Sequence, residues 1–317
     1  MNWDSPEIAA LIRAALDEDL GFGRTQRPGD VTSLATISEG VVARAQIIAK
    51  QDVVLAGLPL AERVFRALDP KVRLTSQAQD GAAVAAATAV LRVEGNARAM
   101  LGGERTALNF LAHLSGIARL TRRFVDAIAG TPARIRDTRK TTPLHRALEK
   151  YAVRTGGGSN HRFGLFDAVL IKENHIVAAG GVREALRRAQ EHVAALEPVI
   201  PTTTAYGSFA PSVADAGEAP RIVIQIEVRN EAELREALAA GARSILLDNQ
   251  SPESAATLIA MARGEAPQCT IEVSGGVTLS NVRAFAETGC DFIAIGALTH
   301  SAPAADFTLF VERAGIR

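Results

Sequence analysis

Six short apolar segments alternate with helical segments in the second part of the chain, and this alternation limits the folds that the chain can adopt. The apolar segments begin at Ala133, Asp167, Ile222, Ser244, Thr270 and Asp291. Helical patterns occupy residues 182–196, 231–240, 252–262 and 279–288. Strands that are apolar on both faces are typical of a buried parallel sheet. The pattern therefore predicts an α/β barrel or a doubly wound sheet.

The first third of the chain mixes the two kinds of element. Ser5 followed by Pro6 predicts a helix start, and Gly21 marks its end. Alternating apolar residues predict strands near residues 43–49, 72–75 and 89–93, with a helix at 58–68. A long helical stretch at residues 98–128 is expected to be interrupted or kinked near Gly102, Gly103 and Gly116. The 317 residues suggest about two domains.

Charge and cysteine content exclude several classes of protein. Lys and Arg total 35 and Asp and Glu total 35, so the net charge is zero and a nucleic-acid binder is disfavoured. The two cysteines, Cys269 and Cys290, have no metal-type spacing, which favours a reducing compartment and a cytoplasmic location. No segment approaches the roughly 18 apolar residues of a membrane span. The first 21 residues are typical of an amphipathic helix and not of a signal peptide.

Every predicted strand of the second part ends in charged or small residues. In a parallel α/β barrel the chemistry collects at these ends. Arginine and lysine there suit a polyanionic ligand, because arginine matches carboxylates and lysine acts as a mobile charge on phosphate. The cations of this set are Arg139, Lys140, Lys172 and Arg162, the last in the glycine-rich segment GGGSNHRFG.

Two further sets complete the strand ends. Glu227 and Asp248 are hard oxygen ligands that suit Mg²⁺ beside a phosphate-rich ligand. Glycines let backbone N–H groups approach an anion closely, as at the late strands of many barrels. This small-residue set is Ser274, Gly275, Gly276 and Gly296.

Structural interpretations compete with each functional one. A lone glutamate at a strand end is more often a salt-bridge partner, and Gly275 with Gly276 also fits a plain turn. Lys140 and Lys172 could be Schiff-base lysines of an aldolase, but two lysines among arginines favour anion binding. Of the histidines, only His161 favours a functional role, His175 is undecided, and the others fit core or surface positions: His113, His145, His192 and His300.

One connection, residues 197–221, is longer than usual between a helix and a strand. It should lie on the barrel face away from the carboxyl ends of the strands. Its Pro, Ser, Thr and Ala content fits a mobile or partner-contacting insertion, and composition alone favours simple disorder.

The residues at the strand ends carry a family resemblance. The segment DTRKTTPLHRALEKYAVRTGGGSNHRFGLFDAVLIKENHI, residues 137–176, closely resembles the central signature of the quinolinate phosphoribosyltransferases. The resemblance continues over nearly the whole chain in GDVTS (29–33), ERTALNFLAHLSGIA (104–118), IEVRNEAELREAL (226–238), LLDN (246–249), EVSGGV (272–277) and IGALTHSAPAADF (295–307).

The resemblance implies both a fold and a reaction. The fold is an N-terminal α/β sandwich domain at residues 1–116 and an incomplete, mainly six-stranded α/β barrel at 117–297. The tail, about residues 298–317, packs back on the first domain. The implied enzyme transfers the phosphoribosyl group of phosphoribosyl pyrophosphate (PRPP) to quinolinate and releases CO₂ and pyrophosphate, giving nicotinate mononucleotide for NAD biosynthesis. It works as a homodimer, or a higher oligomer, in which active sites are shared between subunits.

The resemblance also implies residue roles. Quinolinate is held by Arg139, His161, Arg162 and Lys172, together with Arg105 of the neighbouring subunit. PRPP is held by Lys140, Lys172, Glu227, Asp248, Ser274, Gly275, Gly276 and Gly296. Mg²⁺ enters with PRPP near Glu227 and Asp248, directly or through water, and no organic cofactor is implied. The catalytic residues are Lys140, Glu227 and Asp248, both acids staying ionised at neutral pH.

The chemistry of the residues agrees with these roles. Quinolinate is a dianion and PRPP is heavily anionic, so a cationic pocket is needed in a chain of zero net charge. Carboxylates beside the ribose can stabilise a cation-like transition state, and no covalent nucleophile is required. Three departures from the family pattern are Leu144 with His145, Gln225 in place of an acid, and the length of residues 197–221.

Other functions remain open at this point. A paralogue of the same fold associated with molybdenum transport is the alternative enzyme, and the five predicted quinolinate-binding residues argue against it. A sensor that binds phosphorylated ligands without turnover is the alternative outside enzymes. Pyrophosphate release with quinolinate, compared with nicotinate, distinguishes these functions.

Overall fold

The computed structural model describes residues 1–23, 29–196, 203–204, 207–208 and 222–316. These residues form two compact units, and the first comprises residues 1–23, 29–120, 207 and 302–316. The second comprises residues 121–196, 203–204, 208 and 222–301. The division therefore falls within one long helix, between Leu120 and Thr121.

The helices and strands alternate along the whole chain. In order they are α1 (Pro6–Leu20), α2 (Val31–Thr36), β1 (Val41–Ala49), β2 (Val53–Val54), α3 (Leu58–Leu68), β3 (Arg73–Ser76), β4 (Ala83–Val84), β5 (Ala89–Asn96), α4 (Ala97–Ala127), β6 (Arg134–Arg136), α5 (Arg146–Thr155), β7 (Val169–Ile171), α6 (Glu173–Ala179), α7 (Val182–Ala195), β8 (Thr203–Thr204), β9 (Gly207–Ser208), β10 (Ile224–Val228), α8 (Glu231–Ala239), β11 (Ser244–Asp248), α9 (Pro252–Glu265), β12 (Thr270–Ser274), α10 (Val282–Ala286), β13 (Phe292–Ala294), α11 (Ala297–His300) and β14 (Phe307–Ile316).

The first unit contains an antiparallel sheet in the order β14-β1-β5-β3. The last strand of the chain, β14, pairs with β1 along its length, from Val41 opposite Ile316 to Ala49 opposite Phe307. Helix α1 begins as predicted, because the Ser5 side chain accepts from the N–H of Ile8 and Pro6 occupies the first turn. Gly21 ends it in the left-handed conformation, at φ 71°.

Helix α4 runs without interruption over 31 residues, so the expected break at its glycines is wrong. These glycines lie where neighbouring elements approach closely. A Cβ on Gly103 would lie 3.1 Å from a methyl carbon of Leu68 in α3. On Gly116, a Cβ would collide with the carbonyl oxygen of Pro303 and lie 3.1 Å from Cα of Ala304. These glycines thus allow neighbouring elements to pack closely against α4.

The second unit is an incomplete α/β barrel, which confirms the predicted fold class. Six parallel strands follow the order β6-β13-β12-β11-β10-β7, so the first strand of the unit pairs with the last. The open side lies between β6 and β7, which are the two ends of this sheet. The segment after α5 pairs with β6 there, since the N–H of Ser159 donates to Ile135 O at 2.8 Å. Strand β11 is apolar on both faces, at Ile245, Leu246 and Leu247, as in a buried parallel sheet. Three other strands each carry a buried polar residue: Arg136, Gln225 and Glu272.

The sequence-based predictions omit helix α5, although the site depends on it. The proposed insertion at residues 197–221 lies outside the described residues except for β8 and β9, which pair as a two-stranded sheet. Among the described residues, none of the helices combines the length and apolar character needed to cross a membrane.

The contact at Gly116 predicts a loss of stability on substitution. Gly116→Ala should lower the free energy of unfolding by about 1–3 kcal/mol, because the added methyl group meets backbone atoms that cannot rotate away. Urea unfolding followed by circular dichroism measures the change.

The matched control is Gly264→Ala in α9, where a Cβ meets nothing within 4 Å. That variant should be unchanged or stabilised by up to about 1 kcal/mol, because alanine favours the helix. Equal unfolding midpoints for the wild type and Gly116→Ala would show that the close approach at Gly116 is not required.

Candidate active site

The carboxyl ends of the parallel strands bring most of the predicted site residues to one edge of the barrel. Ile171 in β7 is level with Ile226 in β10, so Lys172 and Glu227 are the next residues on neighbouring strands. Their side chains meet, with Nζ of Lys172 2.8 Å from Oε2 of Glu227. Asp248 is level with Ser274 on the next pair of strands. The register alone therefore gathers a cation, two acids and a small polar residue.

Asp248 lies within the electrostatic reach of this group. Burial raises the pKa of its carboxyl group above the ordinary value, and the neighbouring Glu227 acts in the same direction. Lys172, a hydrogen bond from Asn249 and Lys140 oppose that rise. The cations favour the ionised form, as the sequence suggests, but burial and the second acid outweigh them in setting the direction.

Arg139 and Arg162 form the second part of the site. The Arg162 guanidinium donates from Nη1 to Ala168 O at 3.0 Å. Burial lowers the pKa of Arg162, and the charge of Arg139 lowers it further. The Nε atoms of both arginines are buried without a hydrogen-bond partner. Two neighbouring guanidinium groups with unused donors are suited to a ligand with two negative charges.

His161 lies between these arginines and the barrel interior. Its Nδ1 accepts the backbone N–H of Arg162 at 2.7 Å, so this nitrogen carries no proton. The proton is therefore on Nε2, which lies 2.9 Å from Oε1 of Gln225 and 3.5 Å from Oε1 of Glu272. Burial lowers the pKa of His161, although the charge of Glu272 opposes this. The ring is a neutral group that holds Arg162 in place.

The polar network extends into the interior of the barrel. Nη1 of Arg136 lies 2.6 Å from Oε2 of Glu272, and the guanidinium stacks 3.4 Å over the ring of Phe292. Nε2 of Gln225 donates weakly to the same Glu272 oxygen at 3.4 Å. Strands β6 and β12 are not neighbours, so the Arg136–Glu272 pair crosses the interior. The pair therefore links β6 to β12, and Glu272 of β12 also lies 3.5 Å from Nε2 of His161.

Asp137 and Lys150 form a second buried ion pair. The distance from Nζ of Lys150 to Oδ1 of Asp137 is 2.6 Å, and both side chains are 0% exposed. The same oxygen accepts the N–H of His161 at 2.7 Å. Burial raises the pKa of Asp137 to about 6 and lowers that of Lys150, each against the attraction of its partner. Desolvation thus outweighs the attraction within the pair.

Glycines follow the last two parallel strands, β12 and β13, and leave the backbone there uncovered by side chains. Gly275 and Gly276 have φ of 92° and 63°, the left-handed region that favours glycine. A Cβ on Gly275 would collide with the Asn249 side chain, and one on Gly296 would lie 2.9 Å from Cδ of Lys140. A side chain at either position would fill the space beside the Lys140 and Asn249 side chains.

Arg105 and His175 lie on helices. Arg105 is exposed on α4 in the first unit. Nδ1 of His175 accepts the N–H of Lys172 at 3.0 Å and so caps α6. In the part of the chain that is described, no three His, Cys, Asp or Glu side chains are grouped to hold a metal ion.

Comparison with known proteins identifies the family. The profile of the quinolinate phosphoribosyl transferase N-terminal domain matches residues 30–115. The profile of the C-terminal domain matches residues 117–205 and 202–310. The chain belongs to the quinolinate phosphoribosyltransferase family.

Several members of the family are similar over almost their whole length. The probable nicotinate-nucleotide pyrophosphorylase (carboxylating) of Synechocystis sp. is 41% identical over 306 residues, 96% of this chain and 93% of its own. The nicotinate-nucleotide pyrophosphorylase (carboxylating) of Mycobacterium leprae is 38% identical over 302 residues, 94% and 95% of the two chains. The structure of the nicotinate-nucleotide pyrophosphorylase from Francisella tularensis superposes with a TM-score of 0.82 at 36% identity, covering 96% of each chain.

Sequence reasoning missed the residues that support the family site. Lys150 and Glu149 lie in the resembling segment, yet a charged pair in a helix is usually a solvated face. Glu272 in TIEVS is an inward position of a strand that is otherwise apolar, and this charge at a core position was a readable signal. Gln225 was noted only as a departure from the family pattern.

The contacts of His161 predict its protonation state. At pH 6.5 the free protein should show His161 as the neutral Nε2–H tautomer, because burial lowers its pKa and the Arg162 N–H occupies Nδ1. Long-range ¹H–¹⁵N NMR spectra report the tautomer, and His161→Gln assigns the signals. A ring protonated on both nitrogens at this pH would contradict the network.

Proposed function

We propose that this protein transfers the phosphoribosyl group of PRPP to quinolinate with loss of CO₂, giving nicotinate mononucleotide and pyrophosphate. The observation that carries the proposal is the pair of half-buried arginines, Arg139 and Arg162, whose charges act on each other at the end of the barrel strands. They lie on the barrel unit that also carries the Lys172–Glu227 pair and Asp248. The names of the similar proteins point to the same reaction.

In this proposal the two arginines bind the carboxylates of quinolinate. A dianion relieves the repulsion between the two guanidinium groups, which adds to burial in lowering the pKa of Arg162. His161 fixes the backbone of Arg162 through Nδ1, and we propose that its ring borders the bound quinolinate. Lys172 and, from the neighbouring subunit, Arg105 add positive charge to it.

In this proposal PRPP binds at the remaining strand ends. Lys140 and Lys172 bind its phosphates, and the backbone from Ser274 to Gly276 with Gly296 receives the 5′-phosphate. The left-handed glycines support this role, because a side chain on Gly275 would collide with Asn249. Backbone N–H groups in such a turn form a natural concavity for an anion.

Glu227 and Asp248 face the ribose in this arrangement. Two carboxylates fit Mg²⁺ that keeps several waters and binds mainly to substrate phosphates, so we propose that Mg²⁺ enters with PRPP and that these acids hold it directly or through water. The bound ion would neutralise charge on the departing pyrophosphate. The acids themselves stabilise the positive charge that develops on the ribose.

Loss of CO₂ needs little from the protein. Once the ribose is attached, the cationic ring nitrogen stabilises the electron pair that departing CO₂ leaves on the adjacent carbon. That carbon then takes a proton from water, which completes nicotinate mononucleotide. The arginines need only hold the carboxylates in the geometry for this step. We keep the cytoplasm as the proposed location, since Cys269 and Cys290 are both free and buried.

The function is tested by product formation with matched substrates. With quinolinate, PRPP and Mg²⁺, the purified protein should release pyrophosphate from PRPP and labelled CO₂ from quinolinate. With nicotinate in place of quinolinate, it should release neither product. The two compounds differ by one carboxylate, so the comparison tests recognition of the dianion. Pyrophosphate release with nicotinate, or no release with quinolinate, would contradict the proposal.

Asp248→Asn tests the assignment of the acids to the ribose. Quinolinate binding should be kept, because arginines hold the dicarboxylate, while kcat should fall by about 10²-fold for the loss of one electrostatic contact. Calorimetric titration with quinolinate and steady-state kinetics with varied PRPP and Mg²⁺ measure the two effects. Asp306→Asn, at an exposed acid paired with Lys50, is the control. Lost quinolinate binding with normal PRPP kinetics would assign Asp248 to the wrong substrate.

A homodimer with shared sites is the second part of the proposal. Arg105 is exposed, as a residue that serves a neighbouring subunit must be. Chains carrying Arg105→Ala and chains carrying Lys140→Ala should each be inactive alone. After mixing and subunit exchange, activity should return, because one of the two sites in a mixed dimer is intact. Inactive mixtures with proven exchange would show that each site is built within one chain.

A further inference from the structure

Helix α5 turns one face toward both segments that carry the arginines. The face consists of Arg146, Glu149 and Lys150, spaced three and four residues apart and therefore on one side of the helix. The Arg139 loop, residues 138–142, and the Arg162 loop, residues 161–163, both receive hydrogen bonds from it. We call these three side chains the clamp face.

The clamp face holds Arg162 from both sides. Nζ of Lys150 donates to the carbonyl oxygen of His161 at 2.9 Å. Nη1 of Arg146 donates to the carbonyl oxygen of Phe163 at 3.1 Å. These are the residues directly before and after Arg162, so the backbone at Arg162 is fixed at two points. The guanidinium on this fixed backbone is itself held by Ala168 O, 3.0 Å from Nη1.

The Arg139 loop is held by the same helix. Nε of Arg146 donates to Oγ1 of Thr141 at 3.0 Å. Oε2 of Glu149 accepts the N–H of Thr142 at 3.1 Å. Arg146 thus contacts both loops, while Lys150 contacts only the Arg162 loop and Asp137, which lies at the end of β6.

Burial decides how these side chains can act. Glu149 and Lys150 are both 0% exposed, so neither can reach a ligand in the pocket. A buried charge is retained only where its partners are well placed, and here the partners are backbone groups of the two loops and Asp137. Their effect on a ligand must pass through the loops.

We propose that Lys150 and Arg146 are positioning residues for quinolinate, holding Arg162 and Arg139 at the spacing of its two carboxylates. This rests on the proposed function and adds residues to its site. Lys150 acts on the Arg162 loop alone, and Arg146 acts on both loops. Removing either should weaken quinolinate binding without removing a group that touches the substrate.

The main test separates positioning from loss of a buried charge. Lys150→Met keeps the length of the side chain but leaves Asp137 buried without its partner, which destabilises the fold. The double variant Lys150→Met with Asp137→Asn removes that isolated charge and keeps an oxygen for the His161 N–H. The double variant should unfold at a higher urea concentration than the single one. It should still bind quinolinate at least about 10-fold more weakly than the wild type, a loss of about 1.4 kcal/mol.

Kinetics give the readout that stability alone would not change. For the double variant, the KM for quinolinate should rise by about 10-fold while the KM for PRPP and kcat stay within about 3-fold. Arg146→Ala, at a half-buried position, should also raise the KM for quinolinate. Leu148→Ala, a buried residue of the same helix with no polar contact to either loop, is the matched control and should leave this KM unchanged.

Three outcomes would overturn the inference. A wild-type protein that neither binds nor converts quinolinate overturns the proposed function and the inference with it. If the wild type turns over normally and both the double variant and Arg146→Ala keep the wild-type KM for quinolinate, the inference is wrong and the proposed function stands. An equal rise in KM for Leu148→Ala overturns it as well, because the effect would then reflect stability and not the clamp face.

Discussion

Charges buried inside an incomplete barrel are the constraint on which the rest of the structure depends. The Arg136–Glu272 pair is 5% and 0% exposed, and the Asp137–Lys150 pair is 0% exposed on both sides. A buried charge without a partner costs several kcal/mol, so each of these groups dictates where its partner must lie. The first pair crosses from β6 to β12. The second fixes helix α5 against the end of β6.

The open side of the barrel is organised by the same charges. No strand lies between β6 and β7 among the described residues, and the segment through Ser159 and His161 pairs with β6 there. Its backbone is held by Asp137 and Lys150, and its histidine ring by Gln225. The interior charges pair with each other, and the half-buried Arg139 and Arg162 lie at the mouth. A chain with zero net charge can thus present a cationic pocket.

The residues at the strand ends and the family could be predicted from the sequence, but the buried residues that hold the site loops could not. Lys172, Glu227 and Asp248 lie at the carboxyl ends of apolar strands, so the parallel pattern alone placed them at one edge. The helix containing Glu149 and Lys150 was missed because adjacent charges are usually exposed, and their burial depends on partners far along the chain. The glycines of α4 were misread for a similar reason. Gly116 faces Pro303, and nothing near Gly116 in the sequence indicates that contact.

A crystal structure of the protein with quinolinate tests the central claim most directly. The account predicts that the two carboxylates lie on the guanidinium groups of Arg139 and Arg162. Nε2 of His161 should remain on Gln225, and the Lys150 contact to the His161 carbonyl should remain intact. Quinolinate bound away from these two arginines would contradict the account. So would a His161 ring turned out of the buried network to bind the ligand as a cation.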